Sequence, residues 1–308
     1  MSRVAALFPG QGSHQLGMGA LLADTDPAAA EVFAATERVL PGLTELVRQG
    51  PLEELTRTAN QQPALLAASL AAYRAYLAAT GQLPFCAAGH SLGEFNAHVA
   101  AGSFSLEQAL VLVRRRGQLM QEAVPEGEGA MAAAIGDPAV VEELCAAAEA
   151  ERLLVEVANR NAPTQTVVSG SQEGVLWISQ KLHQRGLRVI PLKVSAPFHC
   201  SLMEPAAERM AAELEPVQLG AMSFPVLSNV TAEPVDPGER KRALTAQITA
   251  PVRWVECVER MVAMGVTEFI EFGPGSVLSG LVARIHPGAL VARIHTPDDL
   301  SGYLQRAG

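Results

Sequence analysis

Pro84-Phe85-Cys86-Ala87-Ala88-Gly89-His90-Ser91-Leu92-Gly93, running on through EFNAHVAA at 94–101, is the stretch on which the reading of this chain turns. The short apolar run 84–88 ends at Gly89 and residues 94–101 have helical composition, which predicts a strand, a sharp turn and a helix. Gly89-His90-Ser91-Leu92-Gly93 fits the G-x-S-x-G nucleophile elbow, whose required context is that strand and that helix. Glycines on both sides allow the turn and bring Ser91 to the helix N-terminus. There the helix dipole favours a developing oxyanion and the Leu92 N–H points towards it. Three fixed positions in five also arise by chance, so the strand and helix on either side carry the assignment.

A serine hydroxyl needs a base. Of the seven histidines, His199 lies in VSAPFHCSLM at 194–203, a loop with no apolar helical face to join, and is the candidate. The elbow would aim His90 away from Ser91, and His98 reads as a helix residue. His14, His183, His286 and His295 have no comparable setting. Taken by itself, a histidine such as His199 is equally compatible with a structural role.

Working outward, Val4 to Phe8 predicts a strand closed by Pro9-Gly10, with helical patterns following through about Leu46 and from Pro63 to Thr80. Between Gly129 and Val194 the pattern becomes β-α-β-β-α-β, with strands at 130–135, 153–158, 165–169 and 188–194 and helices at 138–150 and 173–185. Strands near 226–228 and 268–272 and helices at 251–264 and 277–285 would complete the first layer. The tail beyond Asp298 carries no clear signal. The fold expected is α/β: a larger α/β hydrolase-like domain, 1–127 and 195–308, with an inserted ferredoxin-like subdomain, 128–194.

At 308 residues and 49% hydrophobic, the chain can bury a sizeable core. A net charge of −9 argues against nucleic acid or an anionic membrane as main partner. Cys86, Cys145, Cys200 and Cys257 form no C-x-x-C pair, so neither a disulfide framework nor a zinc site is expected, and reduced thiols suit a cytoplasmic protein. The apolar run at the N-terminus breaks at Pro9, too early for a secretory signal. The stretch 64–79 falls short of the ~20 residues of a membrane span. GQGSHQLGMG and GPGSVLSG both miss the G-x-G-x-x-G spacing, and neither a Walker sequence nor an H-E-x-x-H pair occurs.

Taken together, FPGQGS at 8–13, QPALL at 62–66, GHSLGE at 89–94, RRRGQLMQEAVPEG at 114–127, NRNAPTQTVVSG at 159–170, APFHCSLM at 196–203, QITAPVRW at 247–254 and FGPGSVL at 272–278 resemble the malonyl-CoA:acyl carrier protein transacylases. This acyltransferase family is shared by fatty acid and polyketide synthesis, and the likeness runs along nearly the whole chain. It implies Ser91 as nucleophile, His199 as general base, and a Gln247 main-chain carbonyl orienting the imidazole. It also implies an oxyanion hole at Gln11 and the Leu92 N–H, with malonyl-CoA and an acyl carrier protein as partners and no cofactor or metal. Arg116 matches the arginine that holds the malonyl carboxylate. Three consecutive helical positions span about 200° of arc, so one of Arg114, Arg115 and Arg116 should point inwards; the match selects Arg116. Gln62 and Met120 fall in the matched motifs and are assigned to the acyl pocket. Asn159, Asn161 and Gln165 would line the entrance for coenzyme A or pantetheine, although a polar strand end and turn would look the same.

Phe198 resembles the form of this segment associated with malonyl rather than methylmalonyl, and with free-standing acyltransferases of polyketide assembly lines. The pathway is therefore left open. Two rival readings are an acyl hydrolase using Ser91 and His199 with water, and a catalytically silent docking module for carrier proteins. A carrier protein, typically acidic, would need a basic patch. The candidates are Lys181, Arg185, Arg188 and Lys193, and after them Arg240, Lys241 and Arg242.

Overall fold

The computed structural model describes residues 3–125 and 127–307. The expected domain ends at 1 and 308, and Glu126 of the stretch 114–127, lie outside the described residues.

Eight strands among the described residues form two sheets: β1 (Val4–Phe8), β2 (Cys86–Gly89), β3 (Gly129–Ile135), β4 (Val155–Ala162), β5 (Gln165–Ser171), β6 (Arg188–Pro191), β7 (Glu268–Phe272) and β8 (Leu290–Ile294). The first sheet has the order β2-β1-β7-β8 and is parallel throughout. All residues of β1 and β7 are buried, as befits central strands of a parallel sheet covered on both faces. Successive side chains of β1 alternate between the two covers. Val4, Ala6 and Phe8 join the core under helix Thr58–Thr80, whereas Ala5 and Leu7 join the core formed with helices Trp254–Ala263 and Val277–Ile285.

The second sheet is antiparallel, in the order β4-β5-β3-β6, and carries the expected β-α-β-β-α-β succession with helices Pro138–Ala150 and Gln172–Gln184. Both helices begin at side-chain caps: Asp137 accepts from Ala139 N and Ser171 from Gly174 N. Ala132, Ala134, Val168, Val141 and Ile178 form a separate core there. β4 is also joined to the rest of the molecule, since Arg160 N donates to Val252 O at 2.9 Å and Val252 N to Ala158 O at 2.8 Å.

One expectation fails. Residues 226–228 make isolated bridges, Val226 with Ala87 and Leu227 with Pro234, rather than a strand. Pro216, Pro225, Pro234 and Pro237 break up this region by removing ladder donors. The tail is ordered: β8 extends the parallel sheet, and in helix Pro297–Ala307 Leu300 and Tyr303 are buried, the Tyr303 ring 5.6 Å from that of Tyr76. β8 exposes Leu290 and Arg293 and so lacks the apolar run of a central strand. Among the described residues no helix is long and apolar enough to cross a membrane.

Candidate active site

Ser91 sits between β2 and helix Leu92–Ala100 at φ 52°, ψ −106°, a conformation that costs a non-glycine residue strain. The flanking glycines make it feasible. A β-carbon on Gly89 would collide with the Gly93 backbone, and one on Gly93 with the Phe8 carbonyl. Ser91 N donates to Asn229 Oδ1 at 2.7 Å and Asn229 Nδ2 to Gly89 O at 2.8 Å, which ties down both arms of the turn.

Ser91 Oγ lies 2.8 Å from His199 Nε2, and His199 Nδ1 donates to Gln247 O at 2.8 Å. That carbonyl accepts only, so the proton sits on Nδ1 and leaves Nε2 free to receive one from the serine. Burial, then the nearby Arg116 charge, push the His199 imidazolium down to about 3, which keeps the ring neutral.

Arg116 is fully buried on helix Leu106–Glu122. Nη2 donates to Ser91 Oγ at 3.1 Å and to Gln247 Oε1 at 2.9 Å, and Nη1 to Gln62 Oε1 at 2.9 Å. The guanidinium lies 5.7 Å from the centre of the Phe95 ring. Burial lowers its pKa to about 10, against the pull of Glu94, so it remains cationic near neutrality. Gly117 lets this helix close on Thr58, whose carbonyl would be 2.6 Å from a β-carbon there. The neighbouring Arg115 pairs with Glu213 at 2.7 Å, so of these two adjacent cations only Arg116 points inwards.

A cavity of about 350 Å³ reaches Ser91 and His199 and is walled by Gln11, Asn159, Met131 and Phe198 among others. Among the described residues no group of three or more His, Cys, Asp or Glu side chains is placed to hold a metal ion.

The family profile described as Acyl transferase domain matches residues 6–289. The malonyl CoA-acyl carrier protein transacylase of Bacillus subtilis (strain 168) is 43% identical over 99% of this chain and 97% of its own length. Its namesake from Escherichia coli (strain K12) is 43% identical over 99% of this chain and all of its own length. The chain belongs to the malonyl CoA-acyl carrier protein transacylases. Among solved structures, the transacylase of Coxiella burnetii superposes with a TM-score of 0.96 at 39% identity, covering 99% of this chain and 98% of that one. A malonyl-transacylase in holo complex with a type II PKS acyl-carrier protein superposes at 0.95 with 43% identity, covering 99% of this chain and 100% of that one.

Against this transacylase framework, the residues singled out in the sequence fall into two groups. Ser91, His199, Arg116, Gln62 and Gln247 are joined by hydrogen bonds, and Met120 lies buried with its sulfur 4.0 Å from Gln62 Nε2. Leu92 is the first residue of its helix, where an N–H has no intrahelical acceptor. The Gln11 side chain is tied to other glutamines, donating to Gln61 Oε1 at 2.7 Å and accepting from Gln62 Nε2 at 3.4 Å. Of the three entrance residues, Asn159 lines the cavity. Asn161 instead accepts from His90 Nε2 at 2.8 Å, and Gln165 accepts from Arg284 Nη1 at 2.9 Å, outside the cavity wall.

The basic patch is less free than its composition suggests. Arg185 pairs with Glu143 and Lys181 lies over the Trp177 ring. Arg240 is buried, donating to Ser103 Oγ and Gly220 O, which removes it as a docking residue. Only Lys193 of these lines the cavity. Sequence reasoning missed Asn229, an isolated polar residue with no pattern around it. It also gave no role to Glu94, although GHSLGE contains it.

Proposed function

We propose that this chain moves malonyl from malonyl-CoA to the phosphopantetheine thiol of an acyl carrier protein through an acyl-enzyme on Ser91. The observation that carries the reading is Arg116 Nη2, 3.1 Å from Ser91 Oγ: a buried cation beside a hydroxyl that is itself 2.8 Å from a neutral imidazole. The names of the relatives supply the substrate and the carrier protein.

His199 Nε2 takes the Ser91 proton as Oγ attacks the thioester carbon; the C–S bond breaks, and the departing coenzyme A thiolate receives that proton. The carrier thiol then gives its proton to His199 and attacks the ester, a C–S bond forms, and the serine oxygen leaves with the proton. Main-chain N–H groups of Leu92 and Gln11 serve the tetrahedral oxyanion. At residue 11 the main chain is the group available, because the side chain is held by Gln61. Proton and acyl transfer alone balance both halves, so the cycle calls for no cofactor.

Arg116 receives the malonyl carboxylate, Gln62 and Met120 shape the acyl pocket, Asn159 faces the incoming arm, and Phe198 crowds the α-carbon. Segment 128–194 acts as a subdomain walling the cleft against the catalytic part, 1–127 and 195–308. The four free cysteines suit a reducing cytoplasm. Arg116 also separates this reading from an acyl hydrolase, for which a carboxylate clamp would be wasted.

Intact-mass measurement after exposure to malonyl-CoA should find one malonyl group, absent in Ser91→Ala and removed by holo carrier protein. A label on Cys86 or Cys200 would overturn the mechanism.

A further inference from the structure

Glu94 lies three residues beyond Ser91 on the same helix, with no part of its side chain exposed. An ionised carboxylate accepts hydrogen bonds and cannot donate them. Oε2 accepts from Gln247 Nε2 at 2.6 Å and from Asn229 N at 3.1 Å, and Oε1 has no hydrogen-bond partner among the described residues. Gln247 Nε2 donates again to Ser91 O at 3.0 Å. Both amide hydrogens of Gln247 are thus committed to one side. Gln247 Oε1 is turned to the other, where it accepts from Arg116 Nη2 at 2.9 Å. A reversed amide would set oxygen against carboxylate and carbonyl, and NH2 against guanidinium.

Glu94 and Arg116 therefore face each other through a neutral amide rather than as an ion pair. A direct pair would satisfy the guanidinium. The relayed arrangement leaves Nη2 with a hydroxyl, Ser91 Oγ, as its other partner.

We infer that Glu94 is a positioning residue for carboxylate-bearing acyl groups: through the Gln247 amide it holds the Arg116 guanidinium aimed at the acyl position beside Ser91. This rests on the reading that Arg116 receives the substrate carboxylate. Burial raises the Glu94 carboxyl to about 7, against the hydrogen bonds from Asn229 and Gln247 and the charge of Arg116. The other ionisable groups around it are Arg116 at about 10, His199 and its own helix's His98 both at about 3, His90 lowered by burial, and Cys257 raised by burial. Once protonated, Glu94 can donate, so the reversed Gln247 amide is no longer opposed and the aim of Arg116 loosens.

The test is single-turnover loading with malonyl-CoA and acetyl-CoA in competition, on wild type, Glu94→Gln and Arg116→Ala, across pH. The coenzyme A phosphates titrate identically in both substrates and cancel in the ratio. Glu94→Gln is expected to lower the malonyl-to-acetyl ratio about 30-fold, the scale of one lost charge-assisted hydrogen bond, and to make it independent of pH. In wild type the ratio is expected to fall as pH drops through about 7. Equal losses for both substrates in Glu94→Gln would overturn the inference by marking Glu94 as merely structural. If that variant does not fold, a pH-independent wild-type ratio overturns it. An unchanged ratio in Arg116→Ala would instead overturn the functional reading; a collapse there with none in Glu94→Gln would sink the Glu94 inference alone.

Discussion

Gly93 packs so closely against Phe8 that a β-carbon at residue 93 would overlap the Phe8 carbonyl oxygen, so the end of β1 and the start of the elbow helix touch backbone to backbone. Both glycines of the elbow are thus demanded by contact, and Ser91 alone carries the positive φ of the turn.

Gly93→Ala should accordingly cost about 3 kcal/mol, since the opposing atoms are backbone and cannot rotate aside. Gly280→Ala, exposed on helix Val277–Ile285 with no atom near its would-be β-carbon, should instead stabilise by about 0.5–1 kcal/mol. Denaturant unfolding of the two variants checks the opposite signs.

Arg116→Ala should lower malonyl loading about 100-fold and acetyl loading much less, because a charge-assisted contact to the carboxylate is lost only when a carboxylate is present. Single-turnover loading with each acyl-CoA measures this, and parallel losses would make Arg116 a structural residue.

Phe198 lines the cavity beside His199. Wild type should load malonyl much faster than methylmalonyl, and Phe198→Ser should narrow the gap; rates for the two substrates in each protein decide it. An unchanged ratio would put the wall facing the α-carbon elsewhere.

His98 is fully buried, neither ring nitrogen has a hydrogen-bond partner among the described residues, and burial lowers its pKa from 6.5 to about 3. The unfolded chain therefore binds the proton first, and stability should fall as pH drops below about 6.5 towards about 3. At pH 5 this one group costs on the order of 2 kcal/mol. His199, lowered likewise, adds to the loss. Glu94 opposes it, because its raised pKa makes the folded state the better proton binder between 4.5 and about 7. His98→Leu should shrink the difference in melting temperature between pH 8 and pH 5, and an equal difference in both proteins would refute the assignment.

Much of this was legible in the chain itself. The elbow, the strand at β1 and the β-α-β-β-α-β order follow from glycine placement and apolar periodicity, which depend on near neighbours in the sequence. The proline-broken bridges at Val226 and Leu227 and the edge strand β8 escaped because neither carries a sustained pattern.

Convergence is the work of the folded chain. Ser91 and His199 are 108 residues apart, and Gln247 lies a further 48 beyond His199. Motif matching could name them without saying which atom faces which. Where the Gln11 side chain is held depends on Gln61, and whether Asn161 faces the cavity or bonds His90 depends on how β4 packs. Which way the Gln247 amide points depends on a carboxylate from another helix. Local periodicity records only which face of an element is apolar. The orientation of a buried polar group is set by donors and acceptors that folding brings from distant segments, and these have no periodic trace in the sequence.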